Sequence, residues 1–230
     1  MFMQKKYILF TLIFSCFLLC GCLGEKGYTM APEEICDYMN ENFKGDFELI
    51  DKEIEDDDSA DLSTAYLRCS LFPEETVVTE QGYVWGGDGG WWEIKRTNYY
   101  YCVYKNQIEK KVAGYIKDWF GEFDYKIVNT TDTEYVMLNM KQYKNLDDYL
   151  NASIIIKFKI VIDTHDEETK TAVVAKAQQA EKSDKVEASL RLFLFLYGDD
   201  NFTSLTDEDI KNMDTINSEY FLGGPPFIHN

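Results

Sequence analysis

Residues 76–96 read TVVTEQGYVWGGDGGWWEIKR, and the fold class turns on how this stretch doubles back. Val77, Val78, Thr79, Tyr83, Val84 and Trp85 precede the break, and Trp91, Trp92 and Ile94 follow it. These β-branched and aromatic residues suit a pleated, half-buried surface. The break itself, Gly86-Gly87-Asp88-Gly89-Gly90, supplies the positive φ values that a hairpin tip needs. An aromatic hairpin in mid-chain argues for antiparallel sheet and against a fold built only of βαβ crossovers.

Outward from the hairpin, strand and helix patterns mix without regular alternation. The fourth strand is expected to run on through the aromatic stretch to residue 105. A helix then follows over 106–120, opened by the Asn106/Glu109 capping spacing and carrying Ile108, Val112, Tyr115, Ile116, Trp119 and Phe120 on one face. Upstream, Pro32, Glu33 and Glu34 open a helix whose stripe is Ile35, Tyr38, Met39 and Phe43, and 46–55 and 63–71 read as strands. Downstream come strands at 123–129 and 134–140 and a short helix at 146–150. Residues 153–163 then alternate, with Ile154, Ile156, Phe158, Ile160 and Ile162 on one side and Lys157 and Lys159 on the other. An Ala-rich helix at 169–182 and a central strand at 190–197 precede a last helix capped by Thr206. The expected fold is α+β, with mainly antiparallel sheet and amphipathic helices packed on one face. ICDYMNENF before GDFELI is echoed by VAGYIKDWF before GEFDYKIV, which points to two small units, 32–141 and 142–222, with one fused domain as the alternative and 223–230 as an irregular tail.

The chain has 230 residues, 45% hydrophobic and 28% charged, a globular composition. With 23 basic against 41 acidic residues the net charge is −18, which argues against binding to a phosphate backbone, so nucleic acid is not an expected partner.

The amino terminus has three parts: Lys5 and Lys6, an apolar run at 8–19, and Leu19-Cys20-Gly21-Cys22. Twelve helical residues rise about 18 Å against a hydrocarbon core of roughly 30 Å, so the run reads as a signal segment rather than a span. Leu19-Cys20-Gly21-Cys22 resembles the lipobox of bacterial lipoproteins, with Leu three before and a small residue one before the modified Cys. The resemblance implies that 1–21 is a signal peptide, that Cys22 carries the lipid, and that the remaining chain sits on the extracytoplasmic face of the cell membrane. Loss of Lys5 and Lys6 takes the charge from −18 to −20. Residues 22–31 then read as a mobile tether, on which so acidic a domain stands off anionic headgroups.

Candidate chemistry is sparse. Trp85, Trp91 and Trp92 beside the glycines are the expected ligand-binding residues, since Trp is enriched in binding hot spots; alternation puts Trp91 and Trp92 on opposite faces, so at least one is expected in the core. The acidic run of Glu53, Glu55, Asp56, Asp57, Asp58 and Asp61 has neither the Gly nor the Glu of a calcium loop and reads as a solvated turn. His165, among Asp163, Asp166, Glu167 and Glu168, lacks a convergent partner and reads as a strand-to-helix loop residue. Cys36, Cys69 and Cys102 read as buried thiols, with a Cys69 to Cys102 bridge as the alternative. No nucleophile, metal or phosphate-loop motif occurs, and no cofactor or metal is expected. The sequence thus points to a non-enzymatic membrane-anchored module that binds a surface ligand or envelope protein. A hydrolase with paired carboxylates and a structural part of an envelope complex are the alternatives.

Overall fold

The computed structural model describes residues 26–86, 89–132, 136–152, 154–182, 186–215, 218 and 220–222. The fold is α+β, in two compact units that divide between Arg96 and Thr97 rather than near residue 141. The signal segment, Cys22, Gly87, Asp88 and the tail at 223–230 lie outside the described residues.

The first unit consists of α1 (Pro32–Asn42) followed by β1 (Phe47–Asp56), β2 (Ala60–Cys69), β3 (Thr76–Gly86) and β4 (Gly90–Thr97). The sheet order follows the chain, β1-β2-β3-β4, with β1 at the edge and antiparallel pairing of β1 with β2 and β2 with β3. Phe47, Ala65, Leu67, Cys69, Val77 and Thr79 are buried, as are Ile35, Met39 and Phe43 on α1, which packs on β1, β2 and β3. Asn40 fastens the helix to the sheet: its side-chain amide donates to Phe47 O at 3.0 Å, and Phe47 N–H donates back to Asn40 Oδ1 at 2.8 Å. The β1 register shifts between Leu49 and Asp51, a bulge that turns out Ile50. At the β1–β2 turn Asp57 N–H donates to Ala60 O at 2.8 Å, so alternation pairs Glu55, Glu53 and Asp51 with β2 and leaves the backbone groups of Lys52, Ile54 and Asp56 on the outer edge.

The expected tether does not hold over 26–31. Thr29 Oγ1 donates to Asp61 O at 3.2 Å, Met30 N–H to Gln81 Oε1 at 2.6 Å, and Gln81 Nε2 to Tyr28 O at 3.4 Å. Tyr28 Oη and Ala31 N–H both donate to Glu34, at 2.6 and 2.8 Å, which holds that carboxyl below its usual range. A polar spacer looks mobile in sequence, but here its backbone groups find fixed partners on the sheet.

In the second unit, α2 (Tyr99–Phe120) leads into β5 (Tyr125–Asn129), β6 (Leu138–Asn139), α3 (Leu146–Leu150), β7 (Ile156–Asp163), α4 (Glu167–Glu181), β8 (Leu190–Tyr197), a 3-10 turn at Phe202–Ser204, α5 (Asp207–Lys211) and β9 (Tyr220–Leu222). Its sheet runs β5-β7-β8-β9, with β7 and β8 parallel across α4 and the outer pairs antiparallel. The strand expected over 91–105 therefore stops at Thr97, and the helix expected from residue 106 starts at Tyr99. Its first turns bury Tyr99, Tyr101 and Cys102 ahead of Ile108, Val112, Ile116 and Phe120, so packing overrides the β preference of the tyrosines. Of the strand expected at 134–140, only 138–139 is extended among the described residues.

Ile156, Phe158, Ile160 and Ile162 on β7 and Leu190, Leu192 and Leu194 on β8 fill one face of this sheet. On the other, Val128, Val161 and Phe195 pack with Phe202 and Ile210, so α5 covers the second face and helices do not keep to one side. Two lysines hold that cover down. Lys159, almost fully buried, donates to Lys211 O at 2.7 Å and to Met213 O, and Lys126 donates to Leu205 O at 2.5 Å and Thr203 O at 3.3 Å. Burial pulls the Lys159 ammonium below its ordinary pKa, the Asp214 charge opposes that shift, and the carbonyls of Lys211 and Met213 accept its hydrogen bonds.

Gly82 sits at φ +152°, and a Cβ there would lie 2.0 Å from Asp61 O and 2.9 Å from Leu62 Cα on the neighbouring strand. Because both obstacles are backbone, Gly82→Ala is expected to cost about 3 kcal/mol in urea unfolding.

Candidate aromatic site

The end of the first sheet opposite the α1 contacts is built by two adjacent turns. In the β1–β2 turn, Asp57 Oδ1 accepts from Ser59 N–H at 2.6 Å, Ser59 Oγ at 2.7 Å and Ala60 N–H at 2.9 Å, and these bonds hold its carboxyl low. This is the solvated turn expected of the acidic run. In the hairpin that follows, Gly89 takes φ +90° and donates to Gly86 O at 3.0 Å. Trp85 N–H donates to Ser59 O at 2.8 Å, which locks the two turns together.

On this platform the Trp85 and Trp91 rings meet edge to face, centroids 5.6 Å apart. Lys26 Nζ lies 4.9 Å from the Trp91 centroid, 2.8 Å from Asp61 Oδ2 and 3.8 Å from Asp56 Oδ1. The hydrogen bond to Asp61 is the main cause of a raised Lys26 pKa. Trp92 points to the opposite face by alternation. Trp85 and Trp92 remain 48% and 56% exposed and Trp91 is half-buried, so the expected core tryptophan is not found among the three. The reason is coverage: α1 and residues 27–31 overlie the rest of that face, and what this segment lays against the tip is the Lys26 side chain over Trp91.

Chemically, the site offers exposed indole faces and N–H donors, rimmed by carboxylates and one ammonium. Such surfaces stack on rings, bury apolar edges and orient polar groups. Sequence reasoning found the tryptophans but assigned Lys26 to the tether and Asp61 to the turn. The available signal was that Lys26 is the only basic residue between Lys6 and Lys44, with a run of acids close behind.

The other candidates do not join this site. His165 is exposed between β7 and α4, with Nδ1 3.4 Å from Asp163 Oδ1 and Nε2 3.3 Å from Asp166 Oδ2, and Asp166 caps α4 through Thr169 N–H at 2.7 Å. Cys36, Cys69 and Cys102 are buried, and among the described residues none of them is in a disulfide. Among the described residues, no three His, Cys, Asp or Glu side chains converge as for a metal.

The sequence reading missed a polar cluster on the second unit. Tyr115 Oη donates to Glu187, 3.0 Å from its Oε2, and Lys111 Nζ lies 2.5 Å from Glu187 Oε1. Desolvation first, and then the Glu187 charge, push the Tyr115 phenol up to about 12. Nearby in sequence, the rings of Tyr100, Tyr104, Tyr143 and Tyr149 pack together, and the buried Tyr149 hydroxyl has no hydrogen-bond partner among the described residues.

No family model, curated protein or solved structure matches this chain.

Trp91→Ala, which removes a half-buried ring and its lysine contact, is expected to cost about 1–2 kcal/mol in urea unfolding, and Trp92→Ala less. The folded-state pKa of Tyr115 is raised above the ordinary 10, so its stabilising contribution is complete below pH 10 and is lost as pH rises toward 12. In alkaline difference absorbance, the component near pH 12 that Tyr115→Phe removes should move down in Glu187→Gln.

Proposed function

We propose that this chain is a membrane-anchored extracytoplasmic lipoprotein, lipidated at Cys22, whose folded part is a non-enzymatic binding module for a surface ligand or envelope protein. The observation that carries the binding reading is the exposure of Trp85 and Trp92 at the end of a rigid sheet. Large aromatic side chains cost solvation when left in water, and monomeric domains rarely cluster them at one end without a partner. The lipobox-like residues support the anchor. A dozen apolar residues direct export, and several acyl chains then hold a soluble domain without any spanning segment.

The reading assigns Trp85, Trp91 and Trp92 to binding, with Lys26, Asp56 and Asp61 fixing the polarity of the rim. In a bacterial host that processes lipoproteins, the wild-type chain should resist carbonate extraction from membranes, and Cys22→Ser should abolish the diacylglyceryl mass on the first mature peptide. The lipidated chain in detergent is then melted by intrinsic fluorescence against cell-wall fragments, sugars and small envelope metabolites. A specific ligand at about 100 times its dissociation constant raises stability by roughly 2.7 kcal/mol, and Trp85→Ala should remove that shift. Release of the wild-type chain by carbonate would sink the anchor, and a ligand shift unaltered in every Trp variant would sink the site.

A further inference from the structure

Resting on the lipid anchor and on the aromatic binding site proposed above, we infer that what this end of the first sheet binds is the headgroup layer of the membrane that holds Cys22, which takes the place of a soluble ligand there, with Trp85, Trp91 and Trp92 as interfacial anchors. The argument begins with the length of chain between lipid and fold. The ordered hydrogen bonding of residues 26–31 to the sheet leaves only the stretch from Cys22 to Lys26 as leash. Four residues, fully extended, reach about 14 Å. A ten-residue strand is about 33 Å long, so the anchor cannot reach past the domain to present its far end.

The leash also ends at a particular place. Lys26 is bound to Asp61 at 2.8 Å and lies over Trp91 at 4.9 Å, and Trp91 touches Trp85. The point where the chain leaves for the lipid is therefore the aromatic end itself. Tryptophan favours the interfacial layer, because its ring is apolar and its N–H needs a polar partner, and that layer is several ångströms thick. Trp85 and Trp91 on one face and Trp92 on the other let both sides of the sheet end contact it. The same end carries Asp56, Asp57 and Asp58, so the layer it suits is zwitterionic. Anionic headgroups oppose seating at low salt and tolerate it once salt screens the charge.

The expected arrangement is a domain lowered onto the bilayer by its hairpin tip, instead of one held away on a long tether. The test uses the full lipidated chain, reconstituted in phosphatidylcholine vesicles in which bromines on the acyl chains quench nearby indoles. Trp119→Phe removes the tryptophan outside the site. A second protein carries twelve Gly and Ser residues inserted after residue 23, a leash extension with a mean span of about 19 Å. Quenching of the natural-leash protein, at least about two-fold reduced by the insertion and weaker in low-salt phosphatidylglycerol vesicles, is the expected result. If Trp119→Phe disturbs folding, the two leash lengths are compared with all four tryptophans in place, since only the leash then differs. Mass spectrometry of the first mature peptide separates the two ideas: an unlipidated Cys22 overturns the anchor and the seating together. A lipidated chain whose tryptophans escape quenching at both leash lengths overturns the seating alone, as does equal quenching of both.

Discussion

A helix advances 1.5 Å per residue and a strand about 3.3 Å, so eleven residues of α1 span about 16 Å against some 33 Å for the strands beneath. That mismatch governs the first unit. One helix can bury only the half of the sheet around Phe47, Leu67, Cys69 and Val77, and the other half needs a different cover. The 26–31 segment supplies part of it, through Thr29 and Met30 on Asp61 and Gln81. The last rung, at Trp85 and Trp91, gets no apolar layer from the segment, which lays there the Lys26 side chain. An exposed aromatic end thus arises from element lengths, and any role it has builds on a surface the architecture leaves open.

The second unit meets the same demand differently. Its sheet is covered on both faces, by long helices that supply Ile108, Val112, Ile116, Phe120 and Val173 and by the short α5 on the side of Val161 and Phe195. A five-residue helix offers little apolar area, and the compensation is polar. Lys126 and Lys159 reach out of the sheet to backbone carbonyls at the two ends of α5, Leu205 O just before it and Lys211 O in its last turn. The cover is held by charge-assisted hydrogen bonds as much as by Ile210 and Phe202.

Where side-chain pattern and backbone preference agree, the sequence was readable. The alternation at 153–163 and the Leu/Phe run at 190–197 gave β7 and β8, and Thr206 marked a real cap, whereas the Asp166 cap of α4 went unread and that helix was expected two residues late. Legibility failed where tertiary context decides. The tyrosines at 99–101 favour strand locally, yet helix buries Tyr99 and Tyr101. The division at Arg96 left no compositional trace, although the helix-Gly-strand echo does mark the start of each unit: α1 runs into β1 in one and α2 into β5 in the other. Residues 26–31 carry no periodicity at all, because their order comes from partners such as Asp61 and Gln81 that lie far along the chain. For the site, composition marked the tryptophans, and only the fold could bring Lys26 to them.

The outer edge of β1 has a bearing on life in a crowd. An open strand edge is a template on which a neighbouring copy can add. Here the bulge at Ile50 bends the edge, and Glu48, Glu53, Glu55 and Asp56 line it with exposed acid. Two copies brought edge to edge would crowd these carboxylates together, with Lys52 the lone cation of the strand. The acidity that looks like mere solubility in the composition therefore acts locally, as a fence that keeps copies of this chain from zipping into a shared sheet.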